Sequence, residues 1–131
     1  MRLRLAVLIA AVLLALPAVA AGAGASATEA GASRISHRLQ VKAFEFGFTF
    51  SRPAVGAGQV MIEVNNIGED EHNLRVKRLR SRTRAQGTRD LAPGTRVTKT
   101  FRLRRGTYRL FCSIGRHAER GMSARLPVRR G

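Results

Sequence analysis

Little in this 131-residue chain can be crosslinked, stacked or given negative charge. It has one cysteine, no tryptophan and one tyrosine, and its eight acidic residues face 24 Lys and Arg. A single cysteine excludes an intramolecular disulfide, so the chain is not a disulfide-stapled mini-protein. The shortage of acid excludes an acidic disordered tail, and the length leaves room for one domain rather than a multidomain enzyme. With aromatics limited to six Phe and one Tyr, a core drawn from 44% hydrophobic residues has to be mostly Val, Leu, Ile and Phe. Convincing helical periodicity is missing as well.

Long apolar runs are also scarce. The longest, Leu5 to Leu16, would span about 18 Å as a helix, short of the roughly 30 Å hydrocarbon layer of a membrane. It follows a basic start, Met1-Arg-Leu-Arg4, and ends at Pro17, after which Ala18-Val19-Ala20 has the small-x-small pattern of a cleavage site. Residues 1–20 therefore read as a secretory signal peptide, with an uncleaved anchor running on through Ala25 as the alternative. No cysteine follows the cleavage site to carry a lipid. The expected location is outside the cytoplasm: periplasm, cell envelope or secreted. Without Arg2 and Arg4 the mature chain still carries a net charge of about +14. Outside the cell that charge disfavours nucleic acid as a partner and favours anionic envelope surfaces and acidic proteins. A free thiol in an oxidising compartment has to be buried or bound to metal.

Residues 21–36 are Ala, Gly and Ser with little to bury, and predict a flexible linker. The folded domain is expected over 37–131. Its apolar residues alternate: Leu39 and Val41, then Phe44, Phe46, Phe48 and Phe50, then Val60, Ile62 and Val64. Period two predicts strands with one buried face. The change of parity after Val41 predicts a bulge or turn near Lys42 and Ala43, with the four Phe at the centre of the core. Further strands are expected at Val97 to Leu103, Thr107 to Cys112 and Met122 to Val128, with Met122, Ala124, Leu126 and Val128 on one face. Gly and Pro punctuate the runs at Ser51-Arg-Pro-Ala, Gly56-Ala-Gly58, Pro93-Gly94 and Arg105-Gly106. This spacing of short strands predicts an all-β sandwich. The Arg-rich stretch from Arg78 to Asp90 reads as a long exposed loop or edge strand.

The unusual chemistry lies in Cys112-x4-His117-x4-Met122, which offers a thiolate, an imidazole and a thioether within eleven residues. Soft sulfur with imidazole selects copper, and two His, one Cys and a weak axial Met form the electron-transfer copper site. The second imidazole is available from His72, in Asn65-Asn-Ile-Gly-Glu-Asp-Glu-His72-Asn73. Strand ends that far apart in sequence can meet at one pole of a sandwich. Taken singly, Cys112 reads as an inert buried thiol and Met122 as a core residue; four donors in order argue for one cause. His37 lies outside both motifs and reads as a surface residue, and Glu69, Asp70 and Glu71 as a solvated loop end.

These residues resemble the cupredoxins, the plastocyanin and azurin family of type 1 blue-copper proteins. The likeness runs through Phe46-Gly-Phe48, Gly58-Gln-Val60, Asn65-Asn-Ile-Gly68, His72-Asn73, Pro93-Gly94, Gly106-Thr-Tyr108, Cys112, Gly115, His117 and Gly121-Met122. It implies a Greek-key sandwich holding one copper ion that cycles between Cu(I) and Cu(II). It implies His72 and His117 as imidazole ligands, Cys112 as the thiolate and Met122 as the axial thioether. It further implies that Asn73 and Ser113 hydrogen-bond across the site. The ligand loop is similar in spacing to the auracyanin pattern, and it departs from the family in placing Arg116 and Arg120 beside the second His.

The function expected from this likeness is one-electron transfer by an exported carrier, not enzymatic catalysis. The alternative is a copper chaperone or reservoir that hands over the ion, and a weaker one is a metal-free sandwich that binds envelope polyanions through its arginines. The partner expected of a carrier is a redox protein with an acidic docking face, drawn to a rim made positive by Arg116 and Arg120. The Arg75 to Arg89 stretch offers a second contact with an anionic envelope surface. The chain itself is expected to be a monomer.

Overall fold

The structure, a computed structural model, describes residues 35–130. The leader expected over 1–20 lies outside the described residues, as does the linker apart from its last two positions, Ile35 and Ser36, which begin the first strand. Nine strands follow in order: β1 (Ile35–Phe44), β2 (Gly47–Phe50), β3 (Val55–Gly56), β4 (Gly58–Asn66), β5 (Arg75–Arg78), β6 (Gln86–Gly87), β7 (Arg96–Leu103), β8 (Gly106–Phe111) and β9 (Ser123–Arg129). They form two sheets, β2-β1-β4-β7 and β3-β9-β8-β5-β6. Most pairings are antiparallel, but β1 runs parallel to β4 and β3 parallel to β9.

Alternation puts one side chain in two between the sheets. Leu39, Val41 and Ala43 of β1 pair in register with Ile62, Val64 and Asn66 of β4, and all six are buried. The facing sheet supplies Val76, Tyr108, Leu110, Leu126 and Val128. Each fully buried aliphatic side chain contributes about 1.5–3 kcal/mol relative to exposure, so this layer holds the sandwich closed. Met122, Leu126 and Val128 are buried on the shared face expected of them, with Ala124 half-buried between.

The parity change resolves differently from the expectation. The chain turns at Glu45-Phe46, not at Lys42 and Ala43, so β1 continues to Phe44 and β2 comes back beside it. Phe44 points to the opposite face, its ring over Gly47. Phe48 and Phe50 return to the core side opposite Ala43 and Val41. None of the four Phe is fully buried; Phe101 is the large aromatic at the core's centre, and Phe46, Phe48 and Phe50 pack on its margin. An edge strand has only one neighbour to cover it, so its side chains stay half in water.

The Arg78 to Asp90 stretch is an exposed loop that carries the two-residue edge strand β6. Lys99, on the inward-facing register of edge strand β7, donates to the Gly87 carbonyl of β6 and so ties the two sheet edges together. Inward-pointing charge on an edge also discourages pairing with another chain. At the far end of β8, the Tyr108 hydroxyl donates to the Arg104 carbonyl and accepts the Arg104 N–H, both at 3.0 Å, fixing the β7–β8 turn.

Candidate metal centre

His72 is placed by its backbone. It lies in the loop after β4, where its N–H and carbonyl bond the carbonyl and N–H of Leu91 at 3.1 and 2.8 Å in an isolated bridge. The loop before it is shaped by Asn66, the last inward residue of β4. Its buried amide donates to the carbonyls of Asp70 and Leu91, both at 2.8 Å, and its oxygen accepts the Gly68 N–H at 3.0 Å. A polar residue thus takes a core position because the loop supplies all its partners, and no buried side-chain nitrogen or oxygen among the described residues lacks one.

Cys112 sits at the end of β8, donating its N–H to the Met122 carbonyl at 3.1 Å, while Met122 donates to the His117 carbonyl at 3.0 Å. The loop 113–121 is therefore closed at its base, and its two ends present Cys112 and Met122 side by side. His72, Cys112 and Met122 are fully buried, and His117 is half-buried. The Nδ1 atoms of His72 and His117 lie 3.2 Å apart, and His117 Nδ1 lies 3.7 Å from Cys112 Sγ. The three donor atoms fall within 4.8 Å of one another. Metal–imidazole bonds of about 2.0–2.1 Å and metal–thiolate bonds of about 2.3 Å let one ion reach both members of either close pair. The donor set fits a soft transition metal.

The expected bracing across the site is present. Asn73, itself buried, accepts the Ser113 N–H at 2.9 Å and donates to the Ser113 hydroxyl at 3.1 Å and to Asp90 at 2.7 Å. Arg75 Nε donates to the same hydroxyl at 3.0 Å. The loop bearing His72 and the strand end bearing Cys112 are thus held together one residue beyond each ligand candidate.

Sequence reasoning missed Glu45. From the β1–β2 turn, its Oε1 accepts the backbone N–H groups of Asp70 and Glu69, each at 2.8 Å, and lies 3.0 Å from His72 Nε2. The Asp70 N–H is the largest influence on this carboxyl, and together with the other donors it outweighs burial and holds the pKa at about 2. An ionised carboxylate only accepts, so His72 Nε2 carries a proton, and Nδ1 is the nitrogen turned toward Cys112 and His117. The carboxylate lies so close to Gly68 that a Cβ there would come within 2.2 Å of Oε1. The signal in the sequence was the glycine, but its partner is more than twenty residues away on another turn.

Phe46, next in that turn, packs its ring against His117 with centroids 5.0 Å apart, and Arg120 stacks 3.7 Å over the Phe46 ring. Arg116 pairs with Glu119 at 2.7 Å. The surroundings are therefore of mixed sign, not the positive rim expected. Glu45, Glu69, Asp70, Glu71, Asp90 and Glu119 all sit on the turns and loops that build this pole, leaving Glu63 as the one described carboxylate elsewhere.

No family model matches the chain, and no curated protein does. Solved structures do. The dithionite-reduced auracyanin of Roseiflexus castenholzii aligns with 71% of this chain and 96% of its own at 17% identity, TM-score 0.59. Auracyanin A of Chloroflexus aurantiacus, described as a blue copper protein, aligns with 70% and 97% at 16% identity, TM-score 0.58. Rusticyanin of Thiobacillus ferrooxidans aligns with 72% and 78% at 17% identity, TM-score 0.54. A multicopper oxidase matches 70% of this chain over 41% of its own, TM-score 0.50. At such identities the likeness is one of fold.

Proposed function

We propose that this chain, which has the cupredoxin fold, is an exported one-electron carrier holding a single type 1 copper ion. The observation that carries the reading is the convergence of two imidazole Nδ1 atoms and one thiolate sulfur at a buried pole, braced by Asn73, Ser113 and Glu45. His72, His117 and Cys112 would hold the ion, with Met122 as the weak axial donor from the closed end of the loop. When bound there, copper supplies a one-electron couple between Cu(I) and Cu(II).

The protein's part is to hold the donors still. Glu45 fixes the His72 tautomer, the Asn73–Ser113 bonds fix the spacing of the two loops, and the buried surroundings exclude water. His117 is the one half-exposed donor, so its edge is where an electron would enter and leave. A redox partner would dock over that edge, and the apolar contact would be Phe46 with the exposed Ile67 nearby on the same pole. An acidic partner face would meet Arg120, stacked on Phe46, since Arg116 is paired with Glu119 and the carboxylates of 69–71 repel it from the other side. Docking of this kind is small and speeds up as salt is lowered.

The ion-handover alternative is weakened by burial, since three of the four donors are closed to an incoming ligand. Export rests on the leader pattern of 1–20. The chain spans less than half of the multicopper oxidase it matches, and the reading proposed is a non-enzymatic one.

The test is the visible spectrum of the mature domain after Cu(II) addition. An intense thiolate-to-copper band, absent in Cys112→Ser and bleached reversibly by reductant without loss of copper, is the expected result. Stoichiometric copper without that band would refute the carrier reading and favour handover of the ion, and no stoichiometric binding would refute both.

A further inference from the structure

The end of the sandwich away from the metal pole holds a second feature, independent of copper. Strand β6 has only two residues and pairs with β5 only at Arg75 and Val76, so Lys77 and Arg78 have no neighbour on that side. The loop 79–85 arches across the gap toward the end of β7 and leaves a cavity of about 390 Å³ between the two sheet edges. Its floor is apolar, formed by Val76, Phe101, Leu103 and Tyr108. Its walls carry the guanidinium-bearing residues Arg78, Arg84, Arg102 and Arg104, with Ser81, Thr83 and Gln86.

Four arginines and no carboxylate line the cavity, with Arg78 and Arg84 carried by β5 and the loop after it. Arg78 is anchored: its Nη2 donates to the Arg105 carbonyl at 2.7 Å, and its Nε packs against Gly106. Four of its five N–H donors remain for a ligand. Arg84, Arg102 and Arg104 have no side-chain hydrogen bond or ion pair among the described residues. Ser81 and Thr83 share one hydrogen bond of 2.9 Å between their hydroxyls, so one of the two O–H groups is left to donate. Every described carboxylate but Glu63 is gathered at the opposite pole.

We propose that this cavity binds a phosphomonoester. Such a group carries a charge of about −1.5 to −2 at neutral pH and three strong acceptor oxygens, which suits guanidinium forks better than a single carboxylate does. The volume holds a phosphoryl group with a small organic body, which the apolar floor would cover. Two sources supply that chemistry, a soluble phosphate compound and the headgroup of a monoester phospholipid.

The experiment is a titration of the folded domain with inorganic phosphate at constant ionic strength, followed by the amide shifts of Val76, Leu103 and Tyr108 and by calorimetry. The expected result is saturable binding of one phosphate, weakened tenfold or more in the double variant Arg78→Gln/Arg84→Gln. Unchanged amide shifts outside the cavity serve as the folding control for the variant. Binding that never saturates, or saturates equally well in the variant, overturns the proposal. Vesicles of phosphatidylcholine containing phosphatidic acid or phosphatidylglycerol then identify the source. Preference for phosphatidic acid that phosphate competes away assigns the headgroup, and its absence assigns the soluble ligand.

Discussion

Glu45 is the residue on which the order of the metal pole depends most, and two substitutions separate its parts. All three of its site contacts use one oxygen, Oε1, which receives the N–H of Glu69, the N–H of Asp70 and the His72 Nε2 proton. Glu45→Gln keeps an oxygen of the same shape in that place and removes the charge. Hydrogen bonds to an ionised group are roughly twice as strong as neutral ones, so the loop keeps its path while the hold on the His72 tautomer slackens. Glu45→Ala removes the acceptor, and His72 is then free to present either nitrogen. Loss of such an outer partner of a ligating histidine costs about 10–100-fold in metal affinity. We expect Glu45→Gln near the tenfold end and Glu45→Ala near the hundredfold end. The assay is competition of the metal-free protein against a chromophoric copper chelator, with circular dichroism confirming that each variant is folded. Affinities within about twofold of the parent for both variants, or no difference between them, would refute the reasoning.

Gly68→Ala should act on the same contact from the other side, since its Cβ would fall 2.2 Å from Oε1 and displace the carboxylate; we expect the copper affinity of Glu45→Ala, read by the same competition. Asn73→Ala should destabilise the metal-free domain by about 1–3 kcal/mol, the cost of leaving a buried partner unsatisfied, measured by urea unfolding. Leu110→Ala, in the fully buried layer, should cost about 2–5 kcal/mol in the same experiment without changing the position of the visible band. Copper removal should lower the thermal midpoint, and by more at higher total copper, because an ion bound only by the folded state stabilises it by mass action.

The closeness of Cys112 and His117 was legible because they lie on one short loop, where spacing alone limits what can converge. The pairing of Asn73 with Ser113 followed from the family likeness. The sandwich was legible from alternation, and the strands from Val97 onward lie within a residue of the boundaries read from it. The β1–β2 region was not, because alternation reports that a face is shared and not which side of the sheet it is. Phe44 keeps the parity of Phe46 while pointing away from the core, so the turn fell three residues later than expected. That error hid Glu45, which the turn carries to His72. The mixed charge around His117 was obscured for a related reason: Arg116 and Glu119 are distinct in sequence but paired in space.

The gathering of carboxylates at one pole has a consequence for motion. With nearly all negative charge at the metal end and an excess of arginine over the rest, the domain is a large electric dipole. In the field of any anionic plane it would feel a torque before it felt a contact, turning the arginine-lined cavity toward the plane and the half-exposed edge of His117 away from it. On the proposed function, a domain so oriented would rest on an anionic surface with His117 facing the solution.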